Sequence, residues 1–295
     1  MKPKVTIGIC VRNSASTIRE AIESVMAQDY PHELMKVIVI DGYSSDNTVQ
    51  IVEKVLSHSD IESRIFFENK GLGFARQIVV GNATREYIVW VDGDMILPVD
   101  FVRKHVGFME ENPKVGIAMA RHGIVNMKNV IAVLEHLPFI IYDLKNNLLE
   151  SKLPGTGGAI YRVEAILQVG GFDEKLKGTG EDQDAAFRVK EAGWLIKRSP
   201  AIFYERKAQN LREVWKKWIW YGYGDYDLYC KNKNIFSPLG MNPITALIRG
   251  LLLIADAYRI IHRKFVLLLP FHLSFEMLAW CVGFTKGHKN RRKYF

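Results

Sequence analysis

Over the first 120 residues, short runs of β-branched and aromatic residues alternate with stretches in which apolar positions recur every three or four residues. An unbroken apolar run suits a strand buried on both faces, and the longer period suits a helix laid over it. The alternation therefore predicts an α/β fold with a mostly parallel central sheet flanked by helices. Strands are expected at about 4–10, 36–40, 63–67, 86–92 and 115–120. Between them, Ser14 or Ser16 can cap a helix whose stripe is Ile18, Ala21, Ile22 and Val25, ending near Tyr30-Pro31. Asp46-Asn47-Thr48 caps a second, with Val49, Val52, Val55 and Leu56 on one face.

From about 121 to 180 the periodicity loosens around Pro154-Gly155-Thr156-Gly157-Gly158. A helix follows from Glu181 to about Gly193, and a longer aromatic one from about Leu211 to Cys230. Segments 244–262 and 265–284 are strongly apolar, the first broken by Arg249, Asp256 and Arg259, the second by Pro270, His272 and Glu276. A spanning helix wants about 20 apolar residues with few charges, which neither segment meets cleanly. They read as membrane-lying or re-entrant helices, with a spanning hairpin and core or dimer helices as alternatives. The expected division is a domain at 1–230 and a membrane-associating helical region with a basic tail at 231–295.

A chain of 295 residues, 48% apolar and 24% charged, can bury a full core. Cys10, Cys230 and Cys281 are odd in number and far apart, which suggests neither a disulfide framework nor a zinc site. The start, Met1-Lys2-Pro3-Lys4, runs straight into a strand with no room for a signal-peptide core, so a cytosolic setting is expected. Of the +8 net charge, Lys286, Lys289, Arg291, Arg292 and Lys293 stand just beyond the apolar segments. That placement favours an anionic membrane surface and gives no reason to expect nucleic acid.

Three Asp-x-Asp pairs occur: Asp92/Asp94, Asp182/Asp184 and Asp225/Asp227. About one is expected by chance. Only the first closes a continuous apolar run, Tyr87 to Val91, with a glycine between the acids where a ligand can approach. Two adjacent carboxylates repel, and a divalent cation on a diphosphate gives them a reason to coexist; an acidic turn is the alternative. In a sheet of this kind ligands collect beyond the carboxyl ends of the strands. The loops there hold Arg12, Asn13, Asp41, Lys70, Arg76, Asp92 and Asp94.

Five stretches, in order, resemble a family 2 glycosyltransferase of the nucleotide-sugar-binding GT-A (Rossmann-like) fold. They are Val5–Asn13; Val37 to Thr48; Asn69-Lys70-Gly71-Leu72-Gly73-Phe74-Ala75-Arg76-Gln77; the strand ending Asp92-Gly93-Asp94; and Gly170 to Glu174 with Gly180-Glu181-Asp182-Gln183-Asp184, Arg188 and Gly193. The resemblance implies an inverting transferase that takes a nucleoside-diphosphate sugar. Asn13, Asp41, Arg76, Asp92 and Gly157 are the expected donor contacts, with Asp41 on the uracil or ribose. Asp94, with Asp92, is expected to ligate Mg2+ or Mn2+, and Asp182 to be the general base, oriented by Asp184 and Arg188.

Other readings stay open at several of these positions. Asp41 and Asp182 could serve helix caps and dipoles, Arg76 could pair with an acid in the site or be a solvated helix residue, and the Gly-rich stretch could be a turn. Trp215, Trp218, Trp220, Tyr221, Tyr223 and Tyr226 could meet sugars or a membrane interface, or pack in the core. The chain departs from the family where processive synthases carry Gln-x-x-Arg-Trp, since Lys216-Lys217-Trp218-Ile219-Trp220 stands there, so single-sugar transfer is expected. Where many relatives have a metal-binding His it has Tyr204-Glu205-Arg206, which leaves Glu205 as the substitute. The apolar tail points to a lipid-linked acceptor at the cytoplasmic side of the membrane. A sugar nucleotidyltransferase, or a membrane-associated nucleotide-sugar-binding protein without turnover, is the rival.

Overall fold

In the computed structural model, residues 2–83, 86–123, 128–145 and 153–291 are described. The chain runs β1 (Val5–Val11), α1 (Ile18–Met26), β2 (Met35–Asp41), α2 (Thr48–Leu56), β3 (Glu62–Phe67), α3 (Leu72–Asn82) and β4 (Tyr87–Trp90). These four strands are parallel neighbours in the order β3-β2-β1-β4. Their unbroken apolar runs divide by strand alternation into two cores. Val37, Val39 and Val89 join Ile18, Ile22 and Val25 on one face; Ile38, Ile40, Ile88 and Trp90 join Ala75 and Val79 on the other. Both faces of the β2 and β4 runs are covered, which is why no polar residue interrupts Val37 to Ile40 or Tyr87 to Trp90.

The chain continues through β5 (Met95–Ile96), α4 (Phe101–Glu111) and β6 (Val115–His122) to α5 (Val130–Leu144). After the gap in the described residues come β7 (Ala159–Arg162), α6 (Val163–Gln168), α7 (Glu181–Glu191) and β8 (Leu195–Glu205). Beyond β4 the sheet order is β7-β6-β8-β5, and here the direction changes: β7 is antiparallel to both β4 and β6, while β6 and β8 are parallel. The two-residue β5 pairs antiparallel with the end of β8, setting Met95 opposite Glu205. The reversal at β7 delivers the loop before it to the same edge as the loop after β4.

The described residues within 1–123, 149–177 and 181–205 form one unit by their contacts, and those within 124–148, 178–180 and 206–295 a second. The second holds α5 with α8 (Leu211–Lys231), α9 (Pro243–Ile261) and α10 (Leu269–Arg291). Helix α8 thus groups with the C-terminal helices. Its backbone meets that of α10 closely, because a β-carbon on Gly222 would overlap the Trp280 carbonyl and one on Gly283 would overlap that of Ile219. The Trp280 indole donates to Asp225 at 2.7 Å, a structural use for one of the three Asp-x-Asp pairs. Trp215 packs on Phe275, Trp218 on Tyr221 and Tyr226 on Phe284, while Trp220 and Tyr223 are exposed. Of the helices among the described residues, the one over Lys264–Asn290 is long and apolar enough to cross a membrane, with half of its most apolar stretch buried in the protein. Arg292 and Lys293 of the basic tail, and the Arg291 side chain, lie outside the described residues.

Candidate active site

The carboxyl ends of β1, β2, β3 and β4 are tied to one another. Gly42 N–H donates to the Val11 carbonyl at 2.8 Å, Glu68 N–H to that of Asp41 at 3.1 Å, and Val91 N–H to that of Gly8 at 3.0 Å. Asn13, just past β1 in the left-handed region at φ 53°, accepts at Oδ1 from Ser45 N–H at 2.8 Å, and its own N–H donates to Ser44 Oγ at 2.8 Å. Asp41 ends β2 almost fully buried, and its carboxylate accepts from Ser44 N–H at 2.7 Å and Ser44 Oγ at 2.6 Å. Asn13 and Asp41 therefore meet through one serine pair. The carboxylate of Glu68 accepts from Lys70 and Gly71 N–H at 2.8 and 2.9 Å, shaping the turn into α3.

Past β4 the chain turns at Asp92-Gly93-Asp94, closed by Met95 N–H on the Asp92 carbonyl at 3.1 Å. The Gly-rich loop faces that turn. A β-carbon at Gly157 would stand 2.6 Å from Asp92 Oδ2, so a bare backbone is what lets this carboxylate lie against the loop. A β-carbon at Gly155 would stand 3.1 Å from Asp182 Oδ2. Asp92 and Asp182, 90 residues apart in sequence, thus touch positions two residues apart on one loop, a span of at most about 7 Å.

Asp182 sits in the first turn of α7, where Arg76 of α3 reaches it. The Arg76 guanidinium pairs with the buried Glu181 carboxylate and stands 3.8 Å from Asp182 Oδ2. Of the partners left open for Arg76 by the sequence, the acid pair is the one formed. It is 5% exposed and lies 5.8 Å from the Trp90 ring, so the guanidinium has little surface to offer a nucleotide. Asp184 is bound by Arg188 at 2.8 and 2.9 Å, and Arg188 also donates to the carbonyls of Val169 and Gly171, fixing α7 to the preceding turn. Burial pushes the Cys10 thiol up to about 12, an effect that Arg76 opposes and that Asp92 and Glu68 reinforce. A thiol held this high stays protonated at neutral pH and is a poor nucleophile.

His105 has no counterpart among the sequence expectations. It interrupts the buried stripe of Phe101, Val102, Val106 and Met109 on α4, and a lone polar residue in such a stripe is the signal that would have marked it. Its Nε2 donates to the Gly158 carbonyl at 3.3 Å; a carbonyl only accepts, so Nε2 carries the proton. Burial holds its pKa down at about 3 against an ordinary 6.5. Unfolded, the ring takes a proton below about 6.5, so stability is lost as pH falls from there towards 3, at up to about 1.4 kcal/mol per pH unit. Urea unfolding across that window is expected to show a shallower pH slope for His105→Gln than for the unaltered chain.

The family model described as Glycosyl transferase family 2 matches residues 6–170, more than half of the chain. The chain belongs to that family. As a glycosyltransferase family member it is 22% identical over 234 residues to the poly-beta-1,6-N-acetyl-D-glucosamine synthase of Staphylococcus aureus, covering 77% of this chain and 56% of that protein. The synthase of the same description from Staphylococcus epidermidis is 21% identical over 226 residues, covering 75% and 54%. The chain thus spans about half the length of the curated relatives it matches. Among solved structures, a mannosyltransferase from Pyrobaculum calidifontis in complex with GDP-Man and Mn2+ aligns with a TM-score of 0.65 at 21% identity, over 95% of this chain and 74% of that one. TarS 1-349 of S. aureus in complex with UDP-GlcNAc aligns at 0.57 and 16% identity, over 97% and 92%. These likenesses establish the GT-A fold of this family 2 member.

Among the described residues no group of three or more His, Cys, Asp or Glu is gathered to hold a metal. Asp92 and Asp94 are the two hard oxygen donors at the strand end, and Glu205 pairs by backbone with Met95, the residue after Asp94. One or two carboxylates completed by phosphate oxygens is a usual donor set for Mg2+ and its like, so the residues present fit such an ion.

Proposed function

We propose that this chain is an inverting glycosyltransferase that moves one sugar from a nucleoside-diphosphate sugar to the hydroxyl or phosphate of a lipid-linked acceptor at the cytoplasmic face of a membrane. The observation that carries the reading is the shared loop: Asp92 lies on Gly157 and Asp182 on Gly155. A cleft bounded by both carboxylates has a place for a diphosphate at one end and a nucleophile at the other. Support for a nucleotide-sugar donor comes from the two fold neighbours, whose complexes hold GDP-Man and UDP-GlcNAc.

In this reading Asn13 receives the nucleoside, and the buried Asp41 carboxylate holds Ser44, the partner of Asn13, in place beside it. Backbone N–H groups around Gly157 approach the donor. Asp92 and Asp94 would hold a divalent cation between them and the phosphates, and that ion would offset the charge of the departing diphosphate. Asp182 takes the acceptor proton while that oxygen bonds to the anomeric carbon, and the bond from this carbon to the β-phosphate oxygen breaks on the opposite side. Its electron pair leaves with the nucleoside diphosphate. Arg76 is a positioning residue: it holds Glu181, and through it the turn that carries Asp182. The domain reading of 1–230 as catalytic and 231–295 as membrane-associating belongs to this proposal.

Titration of UDP-, GDP- and dTDP-sugars into the full chain, with and without Mn2+, tests the donor end. At least one is expected to bind only with the ion, and Asp94→Asn to lose that dependence. Binding of none, or binding indifferent both to the ion and to Asp94→Asn, overturns the reading.

A further inference from the structure

Helix α9 is apolar on both sides. Ala246, Gly250, Leu253, Ala257 and Ile261 are buried. At 100° per residue the opposite side carries Ile244, Ile248, Leu251, Leu252 and Tyr258, exposed by 71, 52, 55, 74 and 49%. A helix side facing water ordinarily carries charge, and here Arg259 alone interrupts it. The exposure continues in the next element: Leu267, Leu268 and Phe271, at the turn into α10, are 57, 51 and 66% exposed. The two runs meet where α9 crosses the start of α10, since Gly250 lies against the backbone of Pro270. Leu251 and Leu252 follow the first of these residues directly, and Phe271 follows the second.

The rim is cationic. Beside the exposed run stand the exposed cations Arg259, Arg263 and Lys264, and from 243 to 290 the acids are Asp256 and Glu276. Glu276 is buried, paired with His272, and Asp256 is taken up by Lys145 and Arg259. A two-fold pairing of this face with a second copy would set like charges together, whereas an anionic lipid surface is complementary to both the apolar centre and the rim. Arg249, Asp256 and Arg259 within α9 make it a poor spanning helix, and an in-plane one satisfies all of them.

We propose that the Ile244-to-Tyr258 side of α9, with the Leu267-to-Phe271 corner, is the surface by which this chain docks on an anionic bilayer, α9 lying in the interfacial plane. The site of docking deepens the membrane-face reading given above and is measured without donor or acceptor. Flotation of the full chain with vesicles of phosphatidylcholine, and of phosphatidylcholine mixed with phosphatidylglycerol, provides the test. The unaltered chain is expected to float with the anionic vesicles, and added salt to weaken this without abolishing it. Leu252→Asp with Phe271→Asp, both at exposed positions, is expected to lower the floated fraction about tenfold while circular dichroism and nucleotide binding stay unchanged. Absence of flotation with either vesicle, or flotation unaffected by the double variant, overturns the proposal. So does a dimer in sedimentation equilibrium that the same pair abolishes, because the face would then be covered by a second copy. Flotation in a chain that binds no nucleotide sugar sinks the proposed function and leaves the docking surface standing.

Discussion

Asp182→Asn lowers turnover by about 100- to 10,000-fold, the usual worth of a positioned general base, and leaves nucleotide-sugar binding in place. Asparagine keeps the shape and the hydrogen bond that Gln183 N–H makes to this side chain at 2.8 Å. It cannot take a proton. The side chain is 21% exposed, the most accessible of the acids in this turn that Arg76 touches, as a group meeting an acceptor must be. The measurement is steady-state release of nucleoside diphosphate beside calorimetric donor binding. A loss confined to turnover supports the role. Unchanged turnover would remove Asp182 from the chemistry and favour a nucleotidyltransferase, which does not need an acceptor-activating base.

Arg76→Ala is expected to destabilise the sheet-bearing unit by about 3–5 kcal/mol. The reason is what it leaves behind. Glu181 is 1% exposed in its side chain and would be left without a cation, bearing the cost either of a lone buried charge or of the proton that neutralises it. In a thermal melt this corresponds to a drop of roughly 6–20 °C for a unit of this size. Arg76→Met combined with Glu181→Gln should recover most of that loss, because two neutral groups of similar volume carry no such penalty. Recovery of stability without recovery of turnover would assign Arg76 to the positioning of α7. If Arg76→Ala melts like the unaltered chain, the buried pair contributes little and the guanidinium is available to a ligand after all.

Part of this site is written locally. The Tyr87-to-Val91 run is apolar at every position because both faces of its strand are covered, and an acid pair directly after it stands at a strand end. The serines and Asn13 that clasp Asp41 are likewise turn residues, recognisable by type. Other features have no local signature. Nothing near Arg76 says that its partner lies more than 100 residues on, and nothing near Gly157 says that Asp92 will lie on it. The antiparallel insertion of β7 and the two-residue β5 are too short for periodicity to declare. Helix α8 reads as the end of a catalytic domain in sequence, yet it groups with α10 through glycines that only a facing backbone explains.

By itself, the sequence determined the α/β alternation, the covered parallel strands β1 to β4, the order of motifs that places the chain in its family, and the apolar character of the C-terminal helices. These follow from hydrophobic period and residue type, which act over a few neighbouring positions. The tertiary structure alone decided which acids share a loop, that Arg76 is spent on Glu181, that His105 holds the Gly158 carbonyl, and which side of α9 is left bare. Each of those depends on contacts between segments far apart in the chain. Such contacts are selected by the packing of the whole unit, so no local pattern of residues encodes them.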